Sequence, residues 1–91
     1  MFRITETRSP GCLVLKLEGR FSRAWVGELD ACWRAAPEMR NGGSIWVDLS
    51  DVCLVDDAGQ EQLTRMHRAG VRFMARNCLM RELAREIAES H

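Results

Sequence analysis

The stretch IWVDLSDVCLVDDAG, residues 45–59, decides the fold. It opens with strict alternation. Ile45, Val47 and Leu49 fall on one side, Trp46 and Asp48 on the other. A period of two over this length predicts a half-buried β-strand. A short apolar run, residues 52–55, continues the strand and stops at two adjacent carboxylates, Asp56 and Asp57. Ala58 and Gly59 follow, and a helical pattern is predicted over 57–69, closed by Gly70. A strand that runs directly into a helix start is one arm of a β-α unit.

The same signals recur on both sides of this stretch. Residues 2–8 alternate at first, Pro10-Gly11 marks a turn, and residues 12–18 alternate with Leu13, Leu15 and Leu17 together. That predicts a hairpin, ended by Gly19. Ser22 is a candidate N-cap, and Trp25, Leu29, Cys32, Trp33 and Ala36 then share one helical face. Pro37 helps to stop that helix, and residues 41–43 form a loop. Residues 71–75 predict a strand with Val71, Phe73 and Ala75 inward. Asn77 or Cys78 starts a last helix with a stripe of Leu79, Met80, Leu83, Ala84 and Ile87.

The order β-β-α-β-α-β-α predicts an α/β fold, one domain over 1–91, with a mixed, mostly parallel sheet and right-handed crossovers. Strands covered on both faces read as continuous apolar runs. These strands alternate instead, with Lys16, Asp48, Arg72 and Arg76 on the second face. The helices are therefore expected mainly on one face. The other is expected to be partly wet, with Val14, Trp46 and Met74 as its apolar residues.

Composition narrows the function classes. The chain has 91 residues, 46% hydrophobic and 29% charged, which is too apolar for disorder. Thirteen basic residues balance thirteen acidic ones, so no global field draws in nucleic acid or an anionic membrane. The apolar stretches are too short to span a bilayer, and the first residues carry no signal-peptide core, so a cytoplasmic protein is expected. Cys12, Cys32, Cys53 and Cys78 are widely separated and sit within apolar patterns. They are expected to be buried free thiols; without paired close ligands, no metal site and no cofactor are expected.

The ordered motifs resemble the STAS domain family of bacterial anti-sigma factor antagonists. The similarity runs from LVLKLEGRF through AWVGELDACW and IWVDLSDVCLVDDAG to HRAGVRFMARN and the final helix. It is carried by Leu17-Glu18-Gly19, Glu28-Leu29, Asp48-Leu49-Ser50 and the turn Asp56-Asp57-Ala58-Gly59. The resemblance implies a binding module without catalytic activity. It also implies a switch: an anti-sigma factor that is itself a kinase phosphorylates the serine just before the turn glycine, and the added charge disrupts the packed interface. Here that position is Ala58, which has no hydroxyl, so no phosphorylation is expected there. Asp57 carries a fixed charge one position off, and a single carboxylate is a poor substitute for phosphate. Gln60, Glu61 and Gln62 also replace the apolar residues that commonly follow the family's glycine.

The acidic pair has a chemical reading as well, as a metal site, an acyl-phosphate acceptor or part of a ligand pocket. Adjacent turn residues seldom point at one spot, and no histidine or lysine lies nearby in sequence. Helix capping is the simpler reading, with Asp57 and Gln60 in capping-box spacing. His67 reads as a solvated side chain near a helix C-terminus, where its charge suits the dipole. Arg65, Arg68, Arg72, Arg76, Arg81 and Arg85 bias the C-terminal half towards basic charge, without the aromatic interleaving of single-strand readers.

The expectation is thus a protein-binding module of transcription regulation, with no direct nucleic-acid contact and no membrane insertion. Asp56, Asp57, Ala58, Gly59, Gln60 and Gln62 are its expected contact residues. The expected partner is a kinase-like anti-sigma factor or, in the alternative, the ATPase subunit of an ABC-type transport complex; a homo-oligomer is compatible with either. A rival from another class is an enzyme or small-ligand binder that uses Asp56 and Asp57.

Overall fold

The computed structural model describes residues 2–39, 41–76 and 78–89. Its elements are β1 (Phe2–Ser9), β2 (Cys12–Phe21), α1 (Arg23–Arg34), β3 (Ser44–Val55), α2 (Asp57–Arg68), β4 (Arg72–Met74) and α3 (Cys78–Glu89). A 3-10 turn, Pro37–Met39, follows α1. This is the expected α/β order. The sheet order is β1-β2-β3-β4, with β1 antiparallel to β2 and the other pairings parallel.

Both ends of the central unit follow from local chemistry. After α2 the chain leaves through a Schellman motif. Gly70 takes φ +101°, its N–H donates to the His67 carbonyl at 3.0 Å, and the Val71 N–H donates to the Met66 carbonyl at 3.0 Å. At the start of β3, the Ser44 N–H donates to the Gly11 carbonyl at 2.9 Å, tying the strand to the hairpin turn.

The alternation becomes a one-sided core. Leu13, Leu15 and Leu17 of β2 and Ile45, Val47 and Leu49 of β3 are fully buried, and the residues between them are half-buried. Leu29 and Trp33 from α1, Leu63 and Met66 from α2, and Met80 and Ile87 from α3 close over that face. Phe2 stacks on Phe21 at 5.4 Å and meets Trp25 at 5.3 Å, sealing the end near α1. On the second face Val14, Trp46 and Arg72 lie side by side in register. Val14, Trp46 and Met74 are half-buried there, and the Arg72 guanidinium lies 5.7 Å from the Trp46 ring centre.

Three expectations are corrected. β2 is not ended by Gly19 but runs on to Phe21. The cysteines are not uniformly buried: Cys12 and Cys32 are half-buried and Cys53 is exposed, while the Cys78 side chain lies outside the described residues. His67 is not a solvated ring but is half-buried, stacked 6.2 Å from Phe73. Asn77 and the Leu79 side chain, expected at the start of the last helix and in its stripe, lie outside the described residues.

β3 is irregular against β2. It carries an extra residue between Asp48 and Asp51, opposite Lys16 to Glu18, and another between Val52 and Leu54, opposite Gly19 to Arg20. An extra residue flips the side-chain alternation beyond it. The first therefore turns Val52 into the core. The second turns Leu54 outward, to 53% exposure.

Candidate functional site

The turn at the head of α2 is built around one carboxylate. Asp56 sits at the N-cap in an extended conformation. Its Oδ1 accepts the Gly59 N–H at 2.8 Å, which satisfies a free donor of α2. Its Oδ2 accepts the Arg23 N–H at 2.9 Å, a free donor at the start of α1. The Asp56 N–H in turn donates to the Phe21 carbonyl at 3.1 Å. One side chain thus fixes the starts of two helices to the end of β2. Its carboxyl is held below the ordinary aspartate range, first by the Gly59 N–H and then by the Arg23 N–H.

This corrects the capping expectation at two places. Asp57 is not the cap: it is the first residue of α2 and is exposed. Ser22 does occupy the N-cap of α1, but its hydroxyl makes no capping bond, and Asp56 takes that role from across the fold. Nothing local in the sequence distinguishes Asp56 from Asp57, because the second helix start is 33 positions away.

Gly59 is required by close approach. A Cβ there would lie 2.9 Å from both the Phe21 carbonyl oxygen and Phe21 Cδ2. The missing side chain lets α2 rest directly on the end of β2. Ala58 and Gln60 are half-buried beside it.

Gln62 is not a surface residue. It is 1% exposed and lies on the buried stripe with Gly59, Leu63 and Met66. Its Nε2 donates to Asp30 Oδ1 at 3.1 Å, and its Oε1 accepts from Arg65 Nη2 at 2.6 Å. The same Asp30 oxygen accepts from Arg34 Nε at 2.8 Å and Trp33 Nε1 at 3.2 Å. The Arg34 bond, followed by that from Gln62, holds the Asp30 carboxyl below its ordinary range. This α1–α2 network was not expected from sequence. The visible signal was the placement of Gln62 among apolar positions at helical spacing.

The two carboxylates of the turn do not converge. Asp56 is spent on two backbone donors, whereas Asp57 points to an open, polar depression with Gln60, Glu61, Thr64, Arg65 and Arg68. Among the described residues no three His, Cys, Asp or Glu side chains gather as a metal site needs, and no helix is long and apolar enough to cross a membrane.

No protein-family profile matches the sequence, and no curated protein aligns with it. Solved structures do match the fold. The anti-sigma factor antagonist SpoIIAA in its unphosphorylated form superposes with a TM-score of 0.68 at 16% identity, over 93% of this chain and 82% of that chain. A protein of Shewanella loihica PV-4 with a SpoIIAA-like fold gives 0.61 at 13% identity, over 93% and 75%. Mglu gives 0.57 at 23% identity over 80% of this chain, which spans 19% of Mglu. The four-stranded mixed sheet with three helices on one face is therefore a STAS-like fold, the fold of SpoIIAA.

Proposed function

We propose that the chain is a protein–protein interaction module that docks a regulatory protein, of the kinase-like anti-sigma class, on the head of α2. The contact residues are Asp57, Ala58 and Gln60, with Asp56 and Gly59 holding the turn in shape behind them. The observation that carries the reading is Ala58. It stands between the capping carboxylate and the close-packed glycine, where the resembled family keeps its phosphorylated serine. Docking there is constitutive, because no hydroxyl in the turn accepts phosphate. The reading needs no catalytic step, since the Asp56 carboxylate is already committed to two helix starts.

The test is to mix the purified protein with the kinase-type anti-sigma factor of its own cell, with and without ATP. Co-elution is expected in both conditions, with no mass increase on the turn. Asp57→Lys is expected to weaken the complex at least about tenfold, as reversal of an interface charge does. Stoichiometric phosphate on residues 56–60 would overturn the reading. The polar first turn of α2, with Gln60 half-buried and Glu61 exposed, favours a second reading as an accessory subunit of an ABC-type complex. Retention by the ATPase subunit and not by the anti-sigma factor is its signature.

A further inference from the structure

A second surface lies beside the turn, formed by residues outside Asp56–Gly59. The extra residue between Val52 and Leu54 turns Leu54 out of the core. Among the described residues it is the one large hydrophobic side chain classed as exposed. It does not stand alone. Leu54 and Val55 form one wall of a cleft of about 200 Å³, and Met80 and Leu83 of α3 form the other. Glu82 and Glu86 rim it. Glu82 is paired with Arg85, whose guanidinium also feels the charge of Glu86; Glu86 is exposed and within 4.0 Å of no cation among the described residues.

We propose that this cleft docks a segment of a partner protein that carries an apolar anchor side chain flanked by lysine or arginine. Size and charge select that occupant. The cleft holds one branched or aromatic side chain, and its walls are aliphatic. A buried anchor within a polar rim is the usual anatomy of a small binding site. The rim is acidic on the α3 side, so an anchor flanked by acids is repelled and one flanked by bases is drawn in. The cleft shares no residue with the proposed contact set Asp57, Ala58 and Gln60, so either surface can fail without the other.

Two synthetic amphipathic peptides with one leucine pattern test this, one with lysine at every polar position and the other with glutamate. Methyl NMR spectra of the protein are recorded during titration with each. The lysine peptide is expected to give saturable shifts at Leu54, Val55, Met80 and Leu83, with Leu13 and Leu15 unmoved. The glutamate peptide is expected to give none. Leu54→Asp is expected to abolish the shifts at Val55, Met80 and Leu83. The double change Glu82→Lys with Glu86→Lys is expected to lower lysine-peptide affinity at least about tenfold and to admit the glutamate peptide. Both variants alter exposed positions, and unchanged core methyl shifts confirm that they fold. Equal binding of the two peptides, shifts centred elsewhere, or indifference to the charge reversal would overturn the proposal. So would a dimer in sedimentation that Leu54→Asp dissolves, because the occupant would then be a second copy of this chain.

Discussion

At the scale of single residues, the turn shows why neighbours of the same type have different roles. Asp56 accepts two backbone N–H groups, whereas Asp57 faces solvent. Asp56→Ala removes the cap of two helices and is expected to lower the melting temperature by about 5 °C or more. Asp57→Ala is expected to leave it nearly unchanged, and thermal melts at neutral pH compare the two. The pH dependence has a definite sign. The folded carboxyl titrates below the ordinary aspartate value, so its stabilisation is complete above about pH 4 and is lost as pH falls through the folded value. Asp56→Asn keeps a capping oxygen and is expected to flatten that acid limb; an unchanged limb would assign it to other carboxylates. The glycines divide in the same way. Gly27 lies in α1 with nothing within 4 Å of an added Cβ, so Gly27→Ala is expected to stabilise by about 0.5–1 kcal/mol. Gly59→Ala gains the same propensity but drives a methyl into the Phe21 carbonyl, and is expected to destabilise by about 1–3 kcal/mol. Denaturant unfolding of the two variants should give opposite signs.

At the scale of elements, the sequence reads well wherever a pattern is local. Strand alternation, the Gly70 helix stop and the apolar stripes of α1 and α3 each belong to one segment, and each stands where its period places it among the described residues. What escaped needed a second segment. Gln62 reads as a polar surface residue until Asp30, 32 positions earlier, is seen to receive its amide. Val52 falls on the outer side by the alternation of Ile45, Val47 and Leu49 until the register of β3 against β2 turns it into the core. The seam between α1 and α2 is therefore a polar joint inside an apolar layer, and it is sensitive to removal of one partner. Gln62→Ala is expected to cost about 2 kcal/mol, because it opens a small void and strips a partner from Asp30. Gln60→Ala, two positions away on the same helix, is expected to stay within about 0.5 kcal/mol. Similar losses at both positions would mean that the seam is not where the stability of α2 resides.

At the scale of the whole molecule, the one-sided sheet was legible because its alternation persists through two strands, and a fully covered sheet would have erased it. The unequal standing of the four strands was not legible, since it depends on pairing order. β2 and β3 are central and lie beneath the helices, whereas β1 and β4 form the edges, and β4 spans only Arg72–Met74. Local opening is easiest where few buried contacts and many exposed amides coincide. Residues 5–9 of β1 are all exposed, and their outward-facing amides have no strand beyond them. Native-state hydrogen exchange is therefore expected to place the amides of residues 13–17 and 45–49 in the slowest class. The outward amides of β1 and β4 are expected to exchange faster by on the order of a hundredfold or more. Charged residues on an edge discourage pairing with another chain, and β1 carries Arg3, Glu6 and Arg8, with Arg8 bridged to both Glu6 and Glu38. Uniform protection across all four strands would contradict this order. Protection of the β1 edge that disappears on dilution would locate the contradiction, because it requires a second copy paired against that strand.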